Sequence, residues 1–228
     1  MNHSEKTPRS LFVVIEGIDF AGKTTLVKML EESFSKDEKM KELFHEIIYT
    51  KEPGTPKLEF CTSIRNLVLQ SKEINNETRA LLFFANRSEH VEKLIIPTLN
   101  KPRRLIICDR FYLSTRIYQG LGNEKLIKWI QDTHKLVCPI VPDLTFMVNI
   151  SKEIFLSRYK DKLSRSERNY MDTYTYDEID KIMMLNKELE EEKDPLAGEL
   201  IYLCGNKGVS PLVEIIKQKI IEKATKNN

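Results

Sequence analysis

Five short apolar runs recur along the chain, separated by longer segments with helical periodicity. Runs of this length bounded by Pro, Gly or charged residues are typical of strands buried on both faces of a sheet. Alternation of strand and helix predicts an α/β fold with a doubly wound parallel sheet. The predicted strands span residues 11–16, 46–50, 104–109, 143–150 and 199–204, and the predicted helices span about 22–35, 57–70, 77–97, 112–136, 151–163, 174–193 and 209–225.

The size and composition of the chain favour one domain. Its 228 residues, 41% of them apolar, are enough to build one sizeable core. We expect residues 1–10, which are mostly polar, to form a disordered lead and residues 11–228 to form the domain. Because no apolar stretch approaches the roughly 18 residues of a membrane span, we expect a cytoplasmic protein with no membrane partner.

The charge balance and the spacing of the cysteines argue against three further classes of protein. The chain has 36 Lys and Arg residues against 34 Asp and Glu residues, a formal net charge of +2. A generic polyanion binder is usually strongly basic, so we expect no nucleic-acid partner. The four cysteines are widely spaced without a CxxC pair, which predicts reduced thiols and neither a zinc site nor a disulfide framework.

The segment EGIDFAGKTT (16–25) predicts a loop that binds the phosphates of a nucleoside triphosphate. It contains the pattern Gly-x4-Gly-Lys-Thr between a predicted strand and an amphipathic helix whose N-terminus would face the anion. Lys23 would reach the terminal phosphates, and the hydroxyl group of Thr24 could ligate Mg²⁺. The predicted nucleotide-binding residues are Gly17, Ile18, Asp19, Phe20, Ala21, Gly22, Lys23, Thr24 and Thr25.

A phosphate loop alone does not identify the reaction. A small GTPase would need a guanine-reading NKxD element, which the sequence lacks. An ATPase motor would need a second acid beside the one at a strand end to polarise water, and such proteins are usually larger. Neither class finds support in this chain.

Asp109 and Arg110 follow the third predicted strand. An acid at this strand end can hold the magnesium shell opposite Thr24. A guanidinium group cannot bind the cation, and Arg110 is better explained by a second anion held in a fork geometry. Two facing phosphate sites favour transfer between nucleotides over hydrolysis.

Four further segments follow the phosphate loop in order, namely TKEPG (50–54), LLFFANRSEHVE (81–92), DRFYLSTRIYQG (109–120) and PDLTFMVNIS (142–151). Together with GIDFAGKTT they resemble thymidylate kinases of the bacterial type, over about residues 11–205. The resemblance implies the P-loop nucleoside monophosphate kinase fold, with a five-stranded parallel sheet wrapped by helices, a short lid and a homodimer. It also implies the reaction ATP + dTMP → ADP + dTDP, with ATP as phosphoryl donor and Mg²⁺ as cofactor.

The resemblance assigns the acceptor site residue by residue. Asp19 corresponds to an acid near the sugar and phosphate of dTMP, and Glu52 of the E-P-G turn lies at the acceptor site. Arg87 corresponds to the family's thymine reader, and Phe83 would stack on the base. Residues four apart share a helix face, so this spacing puts an apolar surface and a donor against one base. Phe83 as a core residue is the alternative, because FF pairs usually pack.

The segment after Arg110 adds further predicted contacts to the acceptor. The family's S-T-x-x-Y-Q positions contact the base, and its tyrosine, here Tyr118, limits the room at the 2′ carbon and so selects deoxyribose. Arg65 corresponds to the arginine that follows the E-P-G turn, although the usual second glycine of that turn is missing here. The predicted substrate-binding residues are Glu52, Arg65, Phe83, Arg87, Arg110, Ser114, Thr115, Tyr118 and Gln119.

The lid is predicted at about residues 158–172, a basic segment after the fourth strand. Some family members carry an arginine in the phosphate loop where this chain has Phe20, so the cation that stabilises transition-state charge is expected from the lid. A solvated basic helix is the alternative interpretation of this segment. The predicted catalytic residues are Asp19, Lys23, Arg110, Arg168 and Arg165, with Arg158 as a third lid candidate, and the predicted metal ligands are Thr24 and Asp109.

Two other functions remain open from the residues. The first is another kinase of the same fold, acting on a deoxynucleoside or a different nucleoside monophosphate. Arg110 argues against an acceptor without phosphate, and Arg87 argues against a different base. The second is a nucleotide-binding protein without activity, against which the intact Lys23, Thr24 and Asp109 argue.

Overall fold

The computed structural model of the protein describes residues 9–71, 73–164, 174–192 and 194–226. Its centre is a five-stranded, fully parallel sheet in the order β2-β3-β1-β4-β5. The predicted strands are confirmed, with bounds that differ by at most one residue. The strands are β1 (Leu11–Gly17), β2 (Glu46–Lys51), β3 (Arg104–Asp109), β4 (Leu144–Asn149) and β5 (Glu199–Cys204).

Helices cover both faces of the sheet, as the alternating pattern predicts. The α-helices are α1 (Lys23–Phe34), α2 (Glu38–Leu43), α3 (Glu59–Gln70), α4 (Asn76–His90), α5 (Ile96–Leu99), α6 (Tyr112–Gly120), α7 (Glu124–Val137), α8 (Lys152–Ser164), α9 (Tyr176–Glu191) and α10 (Ser210–Thr225). A π-helical turn (Val91–Ile95) joins α4 to α5, and a 3₁₀ turn (Pro195–Ala197) precedes β5.

The register of the central strands positions the site. Every residue of β1 is buried, as expected of a strand with a sheet neighbour on each side and helices on both faces. Ile15 of β1 pairs with Asp109 of β3, and Gly17 pairs with Val148 of β4. The loops that leave these strands therefore meet at the carboxyl edge of the sheet, where ligands bind in such folds.

One predicted helix, residues 112–136, is wrong as a single element. The structure divides it into α6 and α7 at Leu121 and Gly122, which have positive φ angles of 40° and 76°. Asn123 then caps α7 by accepting a hydrogen bond from the backbone N–H of Leu126 at 3.2 Å. The apolar periodicity continues across this break, and it obscured the Gly-Asn signal of one helix ending and the next beginning.

The sequence analysis also missed α2 and the π-helical turn. Asp37 caps α2 by accepting from the backbone N–H of Met40 at 3.0 Å, which is a regular N-cap signal before a very short helix. The predicted helix 77–97 is helical throughout, but its winding changes from an α-helix to a π-helix directly after His90. Pro97 has no N–H group for the regular helical ladder, and this favours a local change of winding.

The described end of the predicted lead contacts the domain. Residues 1–8 lie outside the described residues, but Arg9 forms an ion pair with Asp143 at 2.8 Å. Ser10 accepts a hydrogen bond from the backbone N–H of Arg104 at 3.0 Å.

All four cysteines are free thiols. A search of the described residues found no helix long and apolar enough to cross a membrane.

Candidate active site

The phosphate loop joins the end of β1 to the start of α1, as predicted. Gly17 and Gly22 have φ angles of 141° and 94°, which residues with a Cβ atom rarely adopt. A Cβ atom on Gly17 would also lie 2.4 Å from the backbone oxygen of Val148. Both glycines are therefore required by the conformation of the loop, and α1 begins at Lys23 with its N-terminus toward the loop.

Lys23 is buried at the base of this loop. Its Nζ atom donates to the backbone oxygen of Ile18 at 2.8 Å. Burial and then the charge of Arg110 lower the pKa of Lys23 to about 8, against the opposing effect of Asp19. A phosphate bound beside Nζ would favour the charged form of this lysine.

Thr24 and Asp109, the two predicted metal ligands, lie side by side. The hydroxyl group of Thr24 donates to Oδ2 of Asp109 at 3.0 Å. Oδ1 of Asp109 is buried and has no hydrogen-bond partner among the described residues. Two adjacent oxygen ligands of this kind suit a hard cation.

Arg110 is held in place by the phosphate loop and by α6. It forms an ion pair with Asp19, its Nη1 donates to the hydroxyl oxygen of Ser114 at 3.0 Å, and its guanidinium carbon lies 5.5 Å from the ring centre of Tyr118. The hydroxyl group of Tyr174 also donates to Asp19. Arg110 has a φ angle of 71°, a strained backbone conformation that is often found at functional sites.

Glu16 is a site residue that the sequence analysis missed, although it begins the EGIDFAGKTT segment. Its buried carboxylate accepts from the backbone N–H of Phe111 at 2.8 Å and from the backbone N–H and hydroxyl group of Ser114 at 3.2 and 2.6 Å. Glu16 thus caps the N-terminus of α6 from another element. Ser114, predicted to contact the base, links Glu16 to Arg110 at the edge of the cavity.

Arg87 is almost fully buried, and its contacts leave one nitrogen atom without a partner. Nε pairs with Glu52 at 2.8 Å, and Nη2 donates to the backbone oxygen of Phe111 at 2.9 Å and to the hydroxyl group of Thr115 at 3.0 Å. Nη1 is buried and has no partner among the described residues. Unpartnered buried donors are rare in folded proteins, so this nitrogen is a candidate ligand contact.

Glu52 also contacts His90, which in turn contacts Thr50, and the sequence analysis missed both of these residues. Oε1 of Glu52 lies 3.0 Å from Nδ1 of His90, and Nε2 of His90 lies 2.8 Å from the hydroxyl oxygen of Thr50.

Tyr118, predicted at the sugar, accepts from the backbone N–H of Asp19 through its hydroxyl oxygen at 2.7 Å. Burial raises the pKa of Tyr118, which keeps this hydroxyl group protonated.

A cavity of about 550 Å³ brings these groups together. Phosphate-loop residues Asp19 and Thr24 line it together with Asp109 and Arg110, and the predicted base-contacting residues line it as well. Arg65 lines its wall and donates to the backbone oxygen of Pro53 at 2.8 Å. The other predicted residues along the wall are Glu52, Phe83, Arg87, Ser114, Thr115, Tyr118 and Gln119.

The described start of the predicted lid contacts the phosphate loop. Arg158 on α8 donates through Nη1 to the backbone oxygen of Phe20 at 2.7 Å. The ring of Phe20 lies 5.2 Å from that of Phe155 and 5.7 Å from that of Tyr159, in edge-on and tilted geometry. Arg165 and Arg168, the two predicted lid cations, lie outside the described residues.

Comparisons with known proteins find relatives that match most of the chain. A family model described as thymidylate kinase matches residues 15–194. A thymidylate kinase of Mycoplasmoides gallisepticum is 34% identical over 194 residues, which are 85% of this chain and 86% of that protein. One from Wolbachia pipientis subsp. Culex pipiens is 34% identical over 211 residues, which are 92% and 97% of the two chains. The crystal structure of thymidylate kinase from Ehrlichia chaffeensis has a TM-score of 0.69 at 25% identity, and the match covers 94% of this chain and 100% of that chain.

Proposed function

The chain belongs to the thymidylate kinase family, and we propose that its site transfers the γ-phosphoryl group of ATP to dTMP, giving ADP and dTDP. One observation carries this proposal. Asp19 and Thr24 of the phosphate loop line the same cavity as Arg110 and Arg87, so a donor site and an acceptor site share one space. This arrangement suits transfer between two nucleotides, which depends mainly on positioning and electrostatic stabilisation.

On the donor side, the loop from Gly17 to Thr25 binds the β and γ phosphates of ATP. The backbone N–H groups at the N-terminus of α1 and the ammonium group of Lys23 supply the positive charge. Phosphate binding offsets the cost of burying charged Lys23, whose pKa of about 8 reflects that cost.

The oxygen atoms of Thr24 and Asp109 fit a magnesium ion. The unpartnered Oδ1 of Asp109 and the adjacent hydroxyl group of Thr24 are hard ligands on the phosphate side of the cavity. Mg²⁺ is usually held by one or two protein groups together with substrate phosphates. When bound there, the ion would neutralise charge on the phosphoryl group in transfer.

On the acceptor side, Arg110 binds the phosphate of dTMP and Arg87 contacts the thymine through Nη1. Phe83 offers an apolar surface one helical turn before Arg87 on the same face of α4. Tyr118 is fixed by its bond to the backbone of Asp19, so its ring limits the space at the 2′ carbon of the sugar. Gln119 and Arg65 complete the wall of this part of the cavity.

The charge of the transition state needs a further cation near the phosphate loop. Arg158 already contacts this loop through the backbone oxygen of Phe20. Arg168 and Arg165 stay proposed as the residues that close over ATP and exclude water. The aromatic contacts of Phe20 with α8 support coupling between the loop and the lid.

A homodimer is part of the proposal, and α3 and α4 supply its most suitable surface. Both helices are described in full, and their exposed positions carry only two charged residues, Glu59 and Glu77. The same surface exposes Phe60, Leu67 and Leu81, each about half accessible at 52%, 51% and 53%. Depletion of charge around exposed apolar side chains is typical of the centre of an interface.

A substrate panel tests the reaction. The purified protein is incubated with ATP, Mg²⁺ and one of dTMP, dUMP, UMP, CMP, AMP, GMP or thymidine, and the release of ADP is measured together with the phosphorylated product. We expect the highest kcat/KM with dTMP and no phosphorylation of thymidine, because Arg110 needs a phosphate to bind.

Two results would contradict the proposal in different ways. A preference for another monophosphate or for thymidine would make the protein a different kinase of this fold. Binding of dTMP and ATP without formation of dTDP would make it a nucleotide-binding protein without this activity.

A further inference from the structure

His90 lies at the end of α4, one helical turn after Arg87, and it contacts the acceptor side of the cavity only through another residue. Its side chain is completely buried. Both ring nitrogens have partners, because Nδ1 lies 3.0 Å from Oε1 of Glu52 and Nε2 lies 2.8 Å from the hydroxyl oxygen of Thr50. A residue with two polar contacts in a buried position is fixed in both place and ring orientation.

These two contacts define the tautomer of the ring. A carboxylate oxygen can only accept, so the proton of a neutral imidazole lies on Nδ1 and is donated to Glu52. Nε2 then accepts, and the hydroxyl group of Thr50 supplies the proton for that bond. Glu52 thus selects the tautomer, and the hydroxyl group of Thr50 satisfies the remaining ring nitrogen of His90.

The second carboxylate oxygen of Glu52 pairs with Arg87. Oε2 accepts from Nε at 2.8 Å, so the two oxygens of this buried carboxylate serve two different partners. Without the bond from His90, Oε1 would be free to complete the two-bond fork that a carboxylate and a guanidinium group prefer. Such a fork would compete with the bonds from Nη2 to Phe111 and Thr115, which set the direction of Nη1.

We propose that His90 is a positioning residue for nucleotide recognition: it holds Glu52 in single contact with Arg87 and thereby keeps Nη1 of Arg87 directed at the acceptor base. The inference rests on the proposed function, since the acceptor base is the ligand that Nη1 contacts. It extends the recognition site from the cavity wall to the pair Thr50 and His90, which do not line the cavity.

Three substitutions of His90 separate its two contacts. In His90→Asn the side-chain amide nitrogen takes the place of Nδ1 and can still donate to Glu52. In His90→Gln the amide group reaches the place of Nε2 instead, so the contact with Thr50 is kept and the contact with Glu52 is lost. His90→Phe keeps the volume of the side chain and loses both contacts.

We expect the KM for dTMP to rise roughly tenfold or more in the Gln and Phe variants, because an oriented bond to a charged group is lost. The Asn variant should stay within about threefold of the wild type, as expected when that bond is kept. The KM for ATP should change little in all three variants, because the phosphate loop is a separate element. Titration calorimetry with dTMP alone should give the same order of affinities.

Thermal unfolding distinguishes positioning from a general structural role. Asn is the smallest replacement and leaves the largest cavity, so it should lower Tm more than Phe does. An order of dTMP affinity that follows Tm would therefore overturn the inference, and so would an unchanged KM for dTMP in the Gln and Phe variants. The exposed His45 provides the control substitution His45→Asn, which should leave both parameters at the wild-type value.

The outcome for the proposed function is separate from the outcome for His90. If the wild-type protein does not phosphorylate dTMP, the proposed function fails before any variant is compared. If the wild type is active and the variants do not divide as described, only the role of His90 fails.

Discussion

At the scale of single residues, the site positions its charged groups with neighbours from distant parts of the chain. Arg87 and Glu52 are 35 residues apart, and Glu52 and His90 are 38 residues apart. The contacts of Arg87 engage its Nε and Nη2 and leave its buried Nη1 without a hydrogen-bond partner among the described residues. Contacts of this kind fix donor geometry before the ligand binds, which lowers the cost of ordering on binding.

A buried histidine outside the site gives a prediction about pH and stability. His134 on α7 is completely buried, and neither ring nitrogen has a hydrogen-bond partner among the described residues. Burial and then the charge of Arg87 lower the pKa of His134 from 6.5 to about 3. Below about pH 6.5 the unfolded chain therefore binds a proton that the folded protein does not, and the free energy of unfolding falls as pH falls.

We expect His134→Leu to remove this pH dependence. The stability difference between variant and wild type should grow in favour of the variant by about 1.4 kcal/mol per pH unit below pH 6.5, or about 2 kcal/mol at pH 5. Urea unfolding at several pH values between about 5 and 8 measures it. His45→Gln is the control, because the side chain of His45 is exposed. Parallel pH profiles for wild type and His134→Leu would contradict the lowered pKa.

Sequence patterns predicted the candidate chemical residues of the site better than the residues that hold them in place. Lys23, Asp109 and Arg110 could be predicted because they follow strands and belong to local motifs. Glu16 stands in the segment EGIDFAGKTT and His90 in LLFFANRSEHVE, but their contacts depend on which elements pack together. Glu16 and Ser114 are 98 residues apart, and no local pattern records such a contact.

At the scale of elements, the start of α6 contributes to the wall of the proposed acceptor site. β3 ends at Asp109, Arg110 takes a left-handed conformation, and α6 begins at Tyr112. The carboxylate of Glu16 accepts three hydrogen bonds at this helix start, two of them from backbone N–H groups. The same cap therefore ends the turn, starts the helix and orients Ser114 toward Arg110.

Removing the cap should reduce both stability and affinity for the acceptor. Glu16→Ala leaves the backbone N–H groups of Phe111 and Ser114 unpaired and should lower the free energy of unfolding by roughly 2–4 kcal/mol. Glu16→Gln keeps one acceptor oxygen for these groups and should cost about 1 kcal/mol. In both variants we expect a higher KM for dTMP with little change in the KM for ATP, since Ser114 no longer holds Arg110 in its orientation.

A cap in a different helix separates loss of stability from loss of positioning. Asp37 caps α2, away from the cavity, and Asp37→Ala should cost about 1 kcal/mol as expected for an N-cap. Its KM for dTMP should stay at the wild-type value. If Asp37→Ala and Glu16→Gln raised this KM equally, the effect of Glu16 would be one of stability alone.

The bounds of helices and strands were predictable where a single signal in the sequence, such as a charged residue or a glycine, marked the end of the element. β3 and β5 match their predicted bounds because short apolar runs there end in charge or glycine. The division of residues 112–136 was missed because an apolar stripe continues through Leu121, although Gly122 and Asn123 carried the signal of a break. These turn residues mark the position of the break, and the apolar periodicity does not report it.

At the scale of the whole molecule, the order of the strands brings the two proposed anion sites to one edge of the sheet. β1 lies between β3 and β4, so the phosphate loop after β1 and the turn after β3 are neighbours. The fold class could be predicted from strand and helix alternation, because parallel strands buried on both faces produce apolar runs. The composition of the acceptor wall came from the family resemblance, since α4, α6 and the turn after β2 meet only in the folded chain.

The surface of α3 and α4 leads to the prediction at this scale, a homodimer. Exposed Phe60, Leu67 and Leu81 lie on two helices that pack against each other, and few charges interrupt them. A second copy of this surface would cover these side chains in a symmetric, self-complementary contact. We expect Leu81→Arg to disrupt the contact, because it buries a charge without a partner at the interface.

Light scattering coupled to size-exclusion chromatography measures the outcome as molar mass. The wild type should elute at about twice the chain mass of 26.7 kDa, and Leu81→Arg should elute at about that mass. Ile215→Arg is the matched control, since Ile215 is also exposed but lies on α10, which packs against α1 and α2 instead of α3 and α4. A monomeric wild type would contradict the homodimer, and a Leu81→Arg dimer would exclude the α3 and α4 surface as its interface. Because α4 also carries Arg87 and His90, dissociation should raise the KM for dTMP by loosening that helix, an effect that the control variant should lack.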